Sequence, residues 1–372
     1  MIDVCESAPS WIRTFAPYVP GKPASEVARE LGLPESGIVK LASNENPLGP
    51  SAKALAAMQA ALPEIARYPD ANGFDLKRAV SGRFGVDMNQ IAIGNGSNDV
   101  LELVARTFLS PGTSAVYSKH AFAVYPLSIQ SIGATSIETP AREFGHDADA
   151  MVAAIRDDTR MLFIANPNNP TGTFLPGPAV AALLAKVPRR VVVVLDEAYT
   201  EYLPDAQRYD SIAWLKSYPN LVITRTFSKA YGLAGMRVGF ALAHPDVADL
   251  MNRIRQPFNV NTVAQAGAIA AMHDDEYVAR SRRMNDEGLQ QLAAGFARMG
   301  LPYIPSFGNF LCVRVGDAGG IFRRLLERGV IVRPVGGYAM PEWLRVSVGL
   351  PAENERFLEA LGAVLAPAAA HR

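Results

Sequence analysis

Lys229 stands where an amine could do chemistry. The chain has eight lysines, and seven of them (Lys22, Lys40, Lys53, Lys77, Lys119, Lys186, Lys216) fall in polar arms, helix faces or loops. A solvated ammonium is the ordinary state at such places. Lys229 instead closely follows the largely apolar run LVITRT and precedes a glycine-punctuated turn, Tyr231-Gly232-Leu233-Ala234-Gly235. Partial desolvation there would lower its pKa and make it a nucleophile or a Schiff-base amine. The plain alternative is a loop lysine paired with a carboxylate. Asp196 ends the apolar run VVVVL, and a partly buried carboxylate needs a cationic or protonated partner, such as a pyridine nitrogen. It could equally be an N-cap for residues 197–202. Asn169 lies in Asn166-Pro167-Asn168-Asn169-Pro170, which must turn, yet three asparagines exceed what a turn requires. Residues 94–98, GNGSN, place small residues and backbone N–H groups where a helix begins, which is a seat for a phosphate. No Gly-Lys-Ser/Thr follows, so this is not a P-loop, and a G-x-G without its third glycine is a weak dinucleotide signal.

These residues share a kind of position, the end of an apolar run. IAIGNG, SAVYSK, TSIETP, MLFIAN, VVVVLDEAY, LVITRTFS and VGFALA are short strand-like runs separated by helical stretches. That alternation predicts an α/β fold with a largely parallel sheet covered on both faces, whose ligands bind outside the carboxyl ends of the strands. Helices are predicted from Pro50 to about Leu62, around 75–84, from about Asn98 to Phe108, and after His120. Beyond about residue 245 long helices over 245–255, 262–272 and 274–299 precede NFLCVRV, VIVRPV and LRVSVG. That change predicts a second, smaller α+β domain. The expected division is an N-terminal arm over 1–45 packing with the small domain, a large domain over 46–272 and a small domain over 273–372.

Taken together, Asn169, Asp196, Tyr199, Ser228, Lys229 and Arg237 resemble the active site of the fold-type I, pyridoxal-phosphate-dependent aminotransferases. NPNNPTG, DEAY and TFSKAYGLAGMRVG carry that resemblance, and it covers nearly the whole chain. LASNENPLGP, RYPDANGFDLKRAV and RPVGGYAMPEWLRVSVG are similar to the histidinol-phosphate aminotransferases within that superfamily. The resemblance implies a large domain with a mostly parallel seven-stranded sheet, and pyridoxal 5'-phosphate as cofactor. Lys229 would bind the cofactor as a Schiff base and shuttle the substrate proton. Asp196 would pair with the ring nitrogen, Asn169 and Tyr199 with the ring's 3-oxygen, and Phe122 would stack on the ring. Ser97, Asn98, Thr226, Ser228 and Arg237 would hold the phosphate, through the guanidinium's two-pronged geometry in the last case. Asn98 departs from the acidic residue common in relatives, a small matter where a backbone N–H does most of the work. Arg345 would clamp the substrate's anionic group with help from Arg333, and Tyr18 and Asn44 would line the substrate site. For each arginine a surface ion pair is the alternative. Tyr68 would reach the cofactor site of a second subunit, making a homodimer part of catalysis.

The implied reaction is amino transfer between L-histidinol phosphate and 2-oxoglutarate, giving imidazole-acetol phosphate and L-glutamate by a ping-pong cycle in histidine biosynthesis. An aromatic amino-acid aminotransferase and a phosphothreonine-type decarboxylase fit the same motifs. A non-enzymatic regulator would want an appended DNA-binding module, and none fits before residue 45. The 372 residues carry 36 basic and 36 acidic side chains, so no basic footprint points to nucleic acid. Cys5 and Cys312 are the only cysteines, which excludes a disulfide framework. His120 opens the Phe122 segment, while His146, His244, His273 and His371 show no ligand spacing, so no metal is expected. The start MIDVCESAPSWIRTF lacks a basic and then apolar leader, and apolar runs such as 191–195 are too short to cross a bilayer. A cytoplasmic enzyme is the expectation.

Overall fold

A computed structural model describes residues 2–17, 21–32 and 34–366. A seven-stranded sheet forms from β1 (Ile91–Gly94), β2 (Ser114–Ser118), β3 (Thr135–Thr139), β4 (Thr159–Ala165), β5 (Val192–Asp196), β6 (Leu221–Thr226) and β7 (Gly239–Ala243), in the order β1-β7-β6-β5-β4-β2-β3. β2 to β6 pair in parallel where they adjoin, and β7 runs against both its neighbours. The strands alternate between two apolar layers. Leu162, Ile164, Val193 and Leu195 face one core, while Met161, Phe163, Val192 and Val194 face the other. A strand buried on both faces has no polar side to show, which explains the uninterrupted apolar runs. Helices Ala52–Ala61, Phe74–Phe84, Gly177–Lys186 and Thr262–Met272 cover the first face; Ser97–Phe108, Val124–Ile132 and Pro245–Ile254 cover the second. The predicted helix after Pro50 begins at Ala52 because the Ser51 side chain caps it, accepting from the Ala54 N–H.

A smaller sheet, β8 (Tyr303–Ile304), β9 (Phe310–Arg314), β10 (Arg333–Pro334) and β11 (Trp343–Ser347), has the order β8-β9-β11-β10 and is antiparallel. Its core packs Leu311, Val313, Leu344 and Val346 against Leu292 and Phe296 of helix Asp275–Arg298 and Phe357 and Leu361 of helix Pro351–Leu365. The N-terminal arm divides its contacts between the two parts. Val39–Lys40 pairs with Val330–Ile331, and Val27 and Ala42 pack on Ile331. Trp11, by contrast, lies against the large domain at Gly133, where an added Cβ would stand 2.7 Å from the indole. An indole needs apolar cover, and a side chain at 133 would deny it. Among the described residues no helix is long and apolar enough to cross a membrane.

Candidate active site

The carboxyl ends of β1, β4, β5 and β6 open onto one cavity of about 220 Å³, closed on its far side by β10, β11 and the arm. Ser97, Asn98, Phe122, Asn169, Asp196, Tyr199, Thr226, Ser228, Lys229 and Arg237 line it from the large domain, Asn44 from the end of the arm, and Arg333 and Arg345 from the small domain. Tyr18 lies outside the described residues. Tyr68 is not at this cavity. It is 82% exposed and stacks on Phe258, with ring centroids 4.8 Å apart.

Lys229 opens onto the cavity and is half-buried, with Nζ donating to the Ser43 carbonyl at 3.1 Å. Burial brings its pKa down to about 7, helped by the Arg345 and Arg237 guanidiniums and opposed by Glu45 and Asp196. The carboxylate of the alternative reading is therefore absent from its hydrogen bonds, and the amine is poised to be neutral near pH 7.

Asp196, the last residue of β5, is buried, and burial pushes its carboxyl pKa up. Tyr125 donates its O–H to Oδ2 at 2.9 Å and Thr224 donates to Oδ1 at 3.1 Å. Two hydroxyl donors hold an anion that still lacks a cation, which is the state a protonated ring nitrogen would complete. The capping alternative does not hold: the Ala198 backbone N–H bonds the carboxylate, but the turn that follows, Thr200–Tyr202, has Tyr199 and not Asp196 at its cap position.

Burial pushes the Tyr199 phenol up to about 12, so it is neutral and has a proton to give. Asn44 Nδ2 donates to its oxygen at 3.0 Å, which leaves that O–H free to point at a ligand oxygen. Asn44 adopts φ 53°, a left-handed conformation that asparagine tolerates, and exchanges hydrogen bonds with Ser347. Asn169 Oδ1 accepts from Arg345 Nη1 at 2.6 Å, so its amide hydrogens are the groups left for a ligand.

At the other end of the cavity, helix Ser97–Phe108 starts at its first N–H groups, with Gly96 at φ 82°. Arg237, also left-handed at φ 55°, lays its guanidinium across Gly96: an added Cβ there would stand 2.6 Å from Nη2. Arg237 Nη1 reaches Ser228 Oγ at 3.3 Å, and Thr226 Oγ1 accepts the Ser228 N–H at 3.1 Å. Helix N–H groups, two hydroxyls and a guanidinium around bare glycine form a cradle for a phosphate.

Arg333 and Arg345 are direct cross-strand partners in β10 and β11. Like charges placed opposite each other repel, and an anion between them relieves this. Arg345 is buried, donates to the Ala42 carbonyl at 2.7 Å, and keeps its Nε without a partner among the described residues. An amine, a carboxylate, a phosphate cradle and a second anion clamp are the donor set that pyridoxal phosphate and an anionic substrate require, so these residues fit the expected cofactor.

Tyr125 and Thr224 carried no role in the sequence. Neither had a signal of its own: Tyr125 meets Asp196 only once helix Val124–Ile132 is in place, and Thr224 only through the β5–β6 register. Tyr338, which lines the cavity from the turn after β10, was also missed.

Over residues 36–361 the chain matches the aminotransferase class I and II family. It is 60% identical over 365 residues to histidinol-phosphate aminotransferase 2 of Nitrosospira multiformis, covering 98% of this chain and 93% of that one. It is 61% identical to histidinol-phosphate aminotransferase of Methylobacillus flagellatus, covering 98% and 99%. The crystal structure of histidinol-phosphate aminotransferase from Sinorhizobium meliloti in complex with pyridoxal-5'-phosphate superposes with a TM-score of 0.88 at 29% identity, covering 97% of this chain and 99% of that one. With a match across most of its length and relatives of this identity, the chain belongs to the class I and II aminotransferase family.

Proposed function

We propose that this chain is a pyridoxal-phosphate-dependent histidinol-phosphate aminotransferase of histidine biosynthesis, moving the amino group of L-histidinol phosphate to 2-oxoglutarate. The observation that carries the reading is the cross-strand pair Arg333–Arg345 facing a lysine amine of depressed pKa. The two substrates share no carboxylate, because histidinol phosphate has only its phosphate. A single clamp must therefore take a phosphate in one half-reaction and a carboxylate in the other, and two guanidiniums suit both.

Asp196, Asn169, Tyr199 and Phe122 would hold the cofactor's ring, and Ser97, Asn98, Thr226, Ser228 and Arg237 its phosphate. Bound there, pyridoxal phosphate supplies an electrophilic carbonyl and a ring that accepts the electron pair released at the substrate Cα. Lys229, neutral near pH 7, takes the proton from Cα and returns it elsewhere in the cycle. Asp196 keeps a proton on the ring nitrogen, aided by the Tyr125 and Thr224 hydroxyls that fix its two oxygens. Tyr199 donates its proton to a ring oxygen while Asn44 holds the phenol in place. Arg345 holds the substrate's anion and, through Asn169, ties that clamp to the ring-binding turn.

The working unit is a homodimer in this proposal. Leu62, Ile65, Tyr68 and Phe74 expose large apolar side chains within one stretch of sequence, Ile65 and Tyr68 line a surface groove with residues 261–263, and the exposed Phe258 stacks on Tyr68. A second copy would cover them and would receive Tyr68 at its own cofactor site. Incubating the cofactor-loaded protein with L-histidinol phosphate and 2-oxoglutarate should yield glutamate with parallel double-reciprocal lines. Absence of glutamate would overturn the reading.

A further inference from the structure

His120 belongs to no group named above, yet it joins the loop carrying Phe122 to the turn carrying Tyr338. Its Nδ1 is 2.6 Å from the Tyr338 carbonyl oxygen, across the boundary between the large and small domains. A carbonyl can only accept, so His120 carries its proton on Nδ1 and donates. The residue is held for this task. Its backbone is left-handed at φ 59°, its carbonyl accepts from Asn168 Nδ2 at 3.0 Å, and its ring lies 5.7 Å from that of Phe144. Phe144 in turn packs edge-on against Trp343, which opens the strand that bears Arg345.

Among the described residues the small domain hydrogen-bonds to the turn at 166–171 by three routes. One is Arg345 to Asn169, one is the Cys312 thiol to the Pro170 carbonyl, and one runs from Tyr338 through His120 to Asn168. Arg333 stands in β10, directly before the turn that ends at Tyr338, and its strand partner is Arg345. The route through His120 is the one that joins the end of the Arg333–Tyr338 segment to the loop carrying Phe122.

We propose that His120 is a positioning residue for the anion clamp, its Nδ1–H docking the Arg333–Tyr338 segment of the small domain onto the large-domain loop that carries Phe122. The inference rests on the reading of the cavity as a transaminase site that grips anionic substrates. It assigns His120 to substrate binding and not to proton transfer, because its hydrogen bond is to backbone and not to any group that reacts.

The test compares His120→Gly with His120→Asn. Both residues accept the left-handed backbone, but only asparagine offers an N–H near the position of Nδ1. His120→Gly should raise KM for histidinol phosphate and for 2-oxoglutarate together, each about five- to tenfold, the scale of one hydrogen bond. Its kcat should stay within about twofold of wild type, the pattern of lost uniform binding. His120→Asn should bring both KM values back toward wild type. Unchanged KM values in His120→Gly, a fall in kcat alone, or an asparagine variant as impaired as the glycine one would each overturn the proposal. A second measurement needs no turnover. In the wild-type protein labelled with ¹⁵N-histidine, which has five histidines, the signal lost in His120→Asn should report a proton on Nδ1. A proton on Nε2 alone would overturn the docking contact even if the glycine variant failed to fold. Wild-type protein that does not transaminate histidinol phosphate would instead count against the functional reading, with the tautomer still reporting on the contact.

Discussion

An amine that loses its proton near neutrality is the first requirement of this site, and burial of Lys229 meets it by bringing the pKa down to about 7. In the cofactor-free protein the unfolded chain then binds more protons than the native one between about pH 7 and the ordinary lysine pKa of about 10.4, so stability should rise with pH across that window. Lys229→Met should accordingly raise the melting temperature most at pH 7 and below, with the gain shrinking toward pH 10. Competitive acylation of the wild-type amines should place the Lys229 midpoint near 7. A midpoint matching the exposed lysines, with no change in melting temperature, would contradict this account. Asp196→Asn keeps a hydrogen-bond acceptor but removes the charge opposite the ring nitrogen, and kcat should fall about a hundredfold or more. A variant with near wild-type turnover would deny Asp196 that role. Lys229 and Asp196 were legible because each closes an apolar run, where a charged group is out of place unless it works. Tyr125 and Thr224 were not, because their contact with Asp196 exists only once a helix and two strands have been brought into register.

At the scale of elements, the phosphate cradle is made by the meeting of a helix start with the loop after β6. Gly96→Ala would place a methyl group 2.6 Å from the Arg237 guanidinium at a backbone φ of 82° that L-residues rarely adopt. Cofactor affinity should fall at least about tenfold with the far-ultraviolet circular dichroism intact. An unaltered cofactor titration would show that the cradle does not bind phosphate. The anion clamp is likewise a product of pairing. The sequence offers Arg333 and Arg345 twelve positions apart, and only the antiparallel register of β10 with β11 sets them face to face. Arg345→Gln should raise KM for both substrates by about ten- to a hundredfold, the scale of charge-assisted hydrogen bonds. An effect on one substrate alone would separate the two anion sites. The strands themselves were legible from uninterrupted β-branched runs, since burial on both faces leaves no place for a polar residue. The arm was harder to read, because Pro- and Gly-rich sequence encodes few contacts of its own and its partners, Ile331 and Gly133, lie far along the chain.

For the whole molecule, the exposed Tyr68 and the Phe258 ring it stacks on are what the proposed homodimer would cover. If Tyr68 serves a neighbour's site, mixing and reassociating Tyr68→Ala with Lys229→Ala subunits should restore about a quarter of wild-type activity, because half the dimers are mixed and one site in each is intact. No recovery beyond the sum of the parents would place Tyr68 outside the partner's site. In the sequence that arrangement came only through the family resemblance, since composition and spacing within one chain carry no signal for groups that would meet across two. One cavity joins Lys229, its amine pKa lowered, to an arginine pair that in the proposed function selects a phosphorylated amine. Single-turnover spectroscopy of the cofactor-loaded protein with L-histidinol phosphate, L-phenylalanine and L-phosphothreonine in turn tests it most directly. Conversion of the cofactor to its amine form should be far faster with histidinol phosphate than with phenylalanine, and phosphothreonine should release no carbon dioxide. Equal rates with phenylalanine, or carbon dioxide released from phosphothreonine without amine-form cofactor, would contradict it.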